Sequence, residues 1–534
     1  MGNAATPQLI RNAHNVIDNF VHLAGRSFAD LSDAEKRRNS AQVLDEGGKP
    51  AFRVQIDGKD TVLSVHDVLV RFIGSLYGSA KDFLSGVPIA GAVLSVPLWY
   101  TDAQIKALEA AAKDAGVAVL QIIPVSVSPL VAYGLTSPSE AGGLPDGGHG
   151  ETYAPEKVLD RTVMVVDFGG TSCDVTLVAA RAGIYSVLSY VHDATIGGRA
   201  IDDALVAHFA REFAKKTKVT IGEQDARAWA KLRNEAEVTK RALSASNSAQ
   251  CSVESLAEGI DFSGSVNRMR LNLLAGNVYA QAQADMRRAL EEAHLDACQV
   301  DEVVFAGGSA RLNGLVEQLE LLFSEDSGTQ FTASIDSDQV IARGNALYAQ
   351  TIVRVPHEAE ERRFIESLGN ARQENEGQLT AAATSRPVGV VLDAPQQGTP
   401  EFERVEKQIV DGQLFVTLLA AHTPVPARRT YRFPAAQGEA SVVRLAYGTP
   451  EVRVDHVTPE LDEEDEEEEP PEPEEVKTAL VRPDASRLLE LVVPHAAGSK
   501  AVVLELVVEA SGALRAEARL DEDAKVVAEA VVGA

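Results

Sequence analysis

From Val163 the chain reads Val-Met-Val-Val-Asp-Phe-Gly-Gly-Thr-Ser-Cys-Asp-Val-Thr-Leu-Val, two β-branched runs parted by a turn of small residues. That pattern predicts a strand, a glycine-bearing turn and a second strand. Gly169, Gly170, Thr171 and Ser172 can expose successive backbone N–H groups there and form a concave nest for phosphate oxygens. Asp167 and Asp174 bracket the turn, and Asp167 is a candidate to face a hydrated magnesium ion, because hard cations take oxygen ligands. An ordinary hairpin accounts equally well for this segment taken alone.

The first third of the chain reads as mixed α/β. Residues 67–77 and 102–115 have helical apolar spacing, and the run 89–96 between them reads as a strand. Further on, 223–246 and 271–294 read as long helices. Glu237, Lys240, Arg241 and Ser244 fall at i, i+3, i+4 and i+7 and share one helix face. Such a face can hydrogen-bond a ribose and stack a guanidinium on a base, whereas an exposed Glu237–Arg241 pair is the plainer alternative. A strand over 301–305 runs into Gly307-Gly308-Ser309, followed by Arg311 and a helix over 312–323, a geometry that brings backbone close to a phosphate or ribose.

Beyond residue 355 the composition turns polar, which places a linker over 356–383 between a first unit, 1–355, and a second, 384–534. The second unit shows short strands at 388–392, 414–419, 431–433, 441–445, 488–493, 502–508 and 514–518, an antiparallel β module. Within it, 460–475 holds 12 carboxylates and three prolines with no basic residue, and reads as a solvated loop.

The 534 residues allow three or four compact units and carry a formal net charge of −28. Setting the acidic loop aside still leaves −16 on the rest, which excludes unassisted binding to nucleic acid or to an anionic membrane. Cys173, Cys251 and Cys298 are far apart with no C-x-x-C, so neither a disulfide framework nor a zinc site is expected and a reducing, intracellular compartment is. The first thirty residues read as helical and polar, unlike a signal peptide. Met1, Gly2 and Thr6 fit the myristoylation pattern, but Arg11 is the only charge before Asp18 and supplies no basic second anchor. No P-loop, H-E-x-x-H or G-x-S-x-G is present.

The order of these motifs carries more than any one of them. The turn at 169–172, His192-Asp193-Ala194-Thr195-Ile196-Gly197-Gly198, the Glu237/Lys240/Arg241/Ser244 helix, Leu256-Ala257-Glu258-Gly259-Ile260-Asp261-Phe262 and Ala306-Gly307-Gly308-Ser309-Ala310-Arg311 follow one another in a way that resembles the heat shock protein 70 (DnaK-type) family. The resemblance runs from about Gln8 to Ala518 and implies an actin-like, two-lobed nucleotide-binding domain followed by a β-sandwich module. It also implies ATP with magnesium as ligands, and nucleotide contacts at Gly197, Gly198, Glu237, Lys240, Arg241, Ser244, Gly307, Gly308, Ser309 and Arg311.

Departures from the family pattern are equally informative. Thr171 stands where the family's phosphate turn has its third glycine, and Ser172 at its threonine. Val21 occupies the position of the family's catalytic lysine, and Pro124-Val125-Ser126 replaces Asn-Glu-Pro, whose glutamate serves the metal-water shell. Losing one such charged group lowers a rate by ~10² to 10³, so a degenerate ATPase is expected.

Only Met1–Gln8 precede Leu9-Ile10-Arg11-Asn12, where the family has an opening phosphate loop; the expectation is a start at an internal methionine, the alternative a loss of the first lobe's opening strands. Only 519–534 follow the last expected strand, which leaves no room for a helical lid. These traits resemble an atypical fungal branch of the family that pairs with a J-domain protein of the zuotin type. The pair stimulates the ATPase of a second chaperone, of the Ssb type, at the ribosome. The resemblance thus implies a cytoplasmic co-chaperone that touches the ribosome through its partner. An active ATP-driven chaperone, a nucleotide exchange factor and a sugar kinase or actin-like filament protein are the alternatives. The exchange factors' long helical C-terminus argues against the second of these, and the β module against the third.

Overall fold

The computed structural model describes residues 1–37, 39–135, 160–181, 183–324, 327–354, 382–434, 440–457, 474–484, 489–494, 501–509, 511, 513–520 and 526–532. All but the last two residues of the expected linker, and 460–473 of the acidic loop, lie outside the described residues.

The segment before residue 41 folds as short turns. Gln8–Arg11 is its longest regular helix before Asp33, and Pro7, Asn12 and Asn15 interrupt any longer one. The helical reading of the first thirty residues is therefore corrected. Strands β1 (Gln42–Glu46), β2 (Lys49–Ile56) and β3 (Lys59–Ser64) form an antiparallel three-stranded sheet that the sequence pattern did not disclose. Helix α1 (Val65–Phe83) starts at Ser64, whose side chain accepts from Asp67 N–H while Asp67 reaches back, a capping box. Thr101 and Gln104 repeat the device at α2 (Asp102–Asp114), which connects the parallel pair β4 (Ala92–Val96) and β5 (Val119–Pro124). A short α3 (Val127–Tyr133) follows.

A five-stranded sheet organises the next 190 or so residues. Strands β6 (Arg161–Phe168), β7 (Cys173–Arg181) and β8 (Ile184–Asp193) are antiparallel. Helices α4 (Gly198–Thr217) and α5 (Ala226–Ala245) come next, then the hairpin β9 (Ser248–Ala257) and β10 (Ile260–Asn267), then α6 (Arg268–Glu292). β11 (Glu302–Ala306) returns parallel to β6, and after α7 (Asn313–Glu320) β12 (Gln330–Thr332) lies parallel to β11. The last helix of this part is α8 (Val340–Arg354). β7 is buried at every position because helices cover both faces of the sheet, and this explains its near-continuous run of apolar residues. Met164, Val166, Phe168 and Leu177 face a core shared with α4, α5, α6 and α7, while Val163, Val165 and Val178 pack on Leu130 of α3.

The C-terminal part is two antiparallel sheets around a common core. One holds β13 (Val388–Asp393), β14 (Ile409–Val410), β15 (Gln413–Leu419), β17 (Ala440–Val457), β18 (Glu474–Pro483) and β19 (Leu489–Pro494); the other holds β16 (Ala427–Pro434), β20 (Ala501–Val508), β21 (Leu514–Leu520) and β22 (Val526–Val532). Val390, Leu418 and Leu445 from the first meet Tyr431, Leu504 and Ala516 from the second. Three expectations change here. The strand expected over 441–445 continues to Val457 because it changes partner, pairing with β19 up to Leu445 and with β18 from Gly448. Glu474 and Glu475, expected in the acidic loop, belong to β18, where they lie opposite Val457 and His456. The last strand is β22 rather than 514–518; its pairing with β21 overrides a weak alternation.

Candidate functional site

Three glycine turns interlock at the ends of β6, β8 and β11. Gly169 N–H donates to Ser172 O at 2.9 Å and closes the β6–β7 turn. The chain leaving β8 docks on that turn: Gly198 N–H donates to Gly169 O at 3.0 Å and Arg199 N–H to Gly170 O at 2.8 Å. Past β11, Ser309 Oγ donates to the same Gly169 O at 3.0 Å. The approach is close enough to demand glycine. At Gly307, whose φ is +84°, a Cβ would run into Phe168 O and stand 2.6 Å from Asp167 Oδ1. At Gly198 it would run into Ser309 Oγ and stand 3.1 Å from Lys240 Nζ.

These turns floor a cleft of about 470 Å³, within the range of small-ligand sites. Gly170, Gly198, Gly308 and Ser309 line its floor; Glu237, Lys240, Arg241 and Ser244 line one wall, and Arg311 the other. Gly169, Thr171, Ser172, Gly197 and Gly307 lie in or beside the turns and Asp167 near the end of β6, but none of the six is part of the lining. Arg199, Asp202, Leu312 and Asp338 also line the cleft and were not singled out from the sequence. Asp202 lies four residues after Gly198, so helical spacing would have found it; Asp338 has no local signal.

The side chains do not all play the parts their spacing suggested. Lys240 turns inward and is buried, its Nζ donating to Gly198 O at 2.9 Å and to the Asp202 carboxylate at 2.8 Å. Burial pushes Asp202 up to about 6, with the Lys240 charge and hydrogen bond pulling the other way. Arg241 and Glu237 form the exposed pair at 2.6 Å, and Ser244 Oγ donates to Arg241 O at 2.7 Å. Arg311 is held by Asp338 at 2.6 Å and Asp336 at 3.4 Å.

Beneath the turn, two carboxylates sit opposite each other on β6 and β7. Asp174 is saturated: Ser172 Oγ donates to it at 3.0 Å, Tyr190 OH at 2.6 Å, and His192 Nδ1 lies 2.8 Å away. The His192 ring in turn lies 4.9 Å from that of Trp99, in the loop after β4, a direct contact between the two α/β halves. Asp167 keeps a partly exposed edge although protein surrounds it densely, and burial, then repulsion from Asp174, pushes it up to about 7.

A raised carboxyl pKa stabilises the fold below the unfolded value near 3.8, and that stability is lost as pH rises toward about 7. Asp167→Asn removes the titration. In the absence of nucleotide the variant should melt with the parent near pH 4 and increasingly above it from there to pH 7.5; scanning calorimetry across that range reads the difference. Parallel melting curves at every pH would refute the assignment.

Glycine turns from three strand ends converging on one cleft of small-ligand size, together with a two-sheet β module, define a two-part α/β and β protein. The chain belongs to the Hsp70 family: the family model described as Hsp70 protein matches residues 1–361. It is similar to a heat shock protein 70 homolog of Schizosaccharomyces pombe, at 32% identity over 97% of this chain and 85% of that one. It also resembles the ribosome-associated complex subunit SSZ1 of Saccharomyces cerevisiae, at 35% identity over 66% of this chain and 62% of that one. Heat shock 70 kDa protein 14-A of Xenopus laevis is 34% identical over 84% of this chain and 78% of its own length.

Proposed function

We propose that this chain is an atypical Hsp70 that holds ATP in the cleft with little or no hydrolysis and acts as a co-chaperone at the ribosome. Its two parts are an actin-like nucleotide-binding domain over 1–355 and a substrate-type β module over 384–534. The partner is a J-domain protein of the zuotin type, and the pair stimulates a second chaperone of the Ssb type on nascent chains in the cytoplasm. One observation carries the reading: the glycine turns and the Glu237/Lys240/Arg241/Ser244 face still frame a cleft, while both positions expected to serve hydrolysis carry valine. Val21 lies in the short turn Val21–Leu23, and Val125, directly after β5, offers only backbone groups, its N–H donating to Val96 O at 2.9 Å and its carbonyl accepting from Ser128 N–H at 3.3 Å.

Cleft size, three interlocked turns and the Arg311 wall suit an adenosine and its phosphates. Asp167 is the carboxylate fitted to a magnesium ion, which when bound supplies positive charge beside the phosphates. Asp174, already holding three side chains, positions Ser172, Tyr190 and His192 instead. The similarity to a ribosome-associated complex subunit supports the site of action, and the charge of −28 supports contact with the ribosome through a partner.

Single-turnover hydrolysis with and without a J domain tests the chemistry. Bound ATP should persist in both, and brisk J-stimulated turnover would refute the reading. Purification of the tagged chain should bring a J-domain protein and ribosomes with it.

A further inference from the structure

The cations around the cleft differ in what they are free to do. Lys240 is buried and committed to Asp202 and Gly198 O, and Arg311 is held by two aspartates. Arg199 is placed differently. It stands in the first turn of α4, a 20-residue helix with no acidic residue in that turn, and its N–H is bound to Gly170 O, so its backbone is pinned against the turn at 169–172. Its side chain lines the cleft and is 44% exposed. Its ion-pair partner among the described residues is Asp18, at 3.1 Å, on the N-terminal segment that also carries Val21. Asp18 does not depend on that pair: it accepts from Ser40 N–H at 2.8 Å and from Asn19 Nδ2 at 3.2 Å.

We propose that Arg199 is the charge that receives the terminal phosphates of the bound nucleotide, exchanging the Asp18 carboxylate for phosphate oxygens. It thereby supplies, from the α4 side, the cation that position 21 lacks. A guanidinium fork matches two phosphate oxygens at once, and the exchange leaves no charge stranded, since Asp18 keeps its two other donors. The positive end of α4 adds to the attraction. This assignment rests on the nucleotide reading and adds a phosphate-selective residue with a competing carboxylate as its brake.

Titration calorimetry on the full chain with magnesium, using ATP and adenosine, separates the possibilities. Arg199→Glu should weaken ATP at least tenfold and leave adenosine unchanged, which also shows that the variant is folded. Asp18→Asn should do the opposite for ATP, tightening it severalfold. A purely structural role for the Arg199–Asp18 pair predicts that both variants weaken both ligands together, and that result overturns the proposal. ATP affinity unchanged in Arg199→Glu, with adenosine binding intact, overturns it while leaving the cleft a nucleotide site. Failure of the unaltered chain to bind either ligand overturns both readings.

Discussion

Arg181→Ala should lower the stability of the α/β body by about 3–5 kcal/mol and loosen its hold on the β module. Arg181 ends β7 and is only 4% exposed, an unusual depth for a guanidinium. Its donors are nearly all used: Nη1 to Arg161 O at 2.5 Å and Ala180 O at 3.1 Å, Nη2 to Thr162 Oγ1 at 3.4 Å, and Nε to Ala421 O at 3.0 Å. The last bond crosses into the β module, where a rigid turn presents the carbonyl. Thr384 Oγ1 and Thr423 Oγ1 both donate to Ala420 O, at 3.1 and 2.7 Å, and His422 N–H donates to Thr384 O at 2.8 Å. Asp160 and Asp301 lie within the electrostatic reach of the guanidinium, and burial already pushes Asp301 above its usual value. Alanine would remove one of the guanidinium charges near each carboxylate, leaving Arg429 beside Asp160 and Arg161 near Asp301, and orphan up to four acceptors. Two ion pairs also bridge the parts: Arg429 of β16 lies 3.7 Å from the buried side chain of Asp160, and Lys477 pairs with Asp296 at 2.8 Å; the second is substantially solvated, and its removal should change stability by at most about 1 kcal/mol. Urea midpoints of the two variants, with small-angle scattering to report separation of the parts, give the comparison. Equal shifts in both, or unchanged scattering from Arg181→Ala, would contradict this account.

Arg181 and Ala421 lie 240 residues apart, and this marks the boundary of what could be read from sequence. Local pattern revealed the β6–β7 hairpin, the long helices and the diglycine turns, because each depends on residues within one element. The order of the turns exposed the family. Direction was out of reach. Spacing put Glu237, Lys240, Arg241 and Ser244 on one face, but the packing of α5 on α4 turns Lys240 inward onto Asp202 and leaves Arg241 with Glu237. The small sheet β1–β3 escaped because much of it is exposed and polar, without the strict alternation that marks a half-buried strand. The extension of β17 escaped because its second half is stabilised by β18, across a segment of charge that reads as loop. Arg199 was hidden for a different reason: beside Gly197-Gly198 it looks like an ordinary helix-start residue, and only the cleft gives it a role.

The same glycine-to-alanine change should have opposite signs in two helices. Helix propensity favours alanine over glycine by about 1 kcal/mol, so sequence alone predicts a gain at any helical glycine. Gly276, in α6, has open space where its Cβ would go, and Gly276→Ala should stabilise by about 0.5–1 kcal/mol. Gly344 lies where α8 crosses α3. A Cβ there would run into the Ser128 carbonyl and stand 2.9 Å from Ser128 Cα, so backbone rather than a movable side chain opposes it. The helices must separate, and the crossing cannot yield cheaply. Asn345, the next residue, ties three elements together: its Oδ1 accepts from Ser128 Oγ at 2.6 Å and its Nδ2 donates to Ser95 Oγ of β4 at 2.9 Å. Moving α8 outward breaks both bonds and leaves partly buried polar groups unpaired. Overpacking and the lost bonds together should destabilise Gly344→Ala by about 3 kcal/mol or more, against the propensity gain. Thermal melts of the two variants should therefore move in opposite directions, Gly344→Ala by several degrees downward. A neutral or stabilising Gly344→Ala would mean that α8 does not press on α3 in solution as it does here.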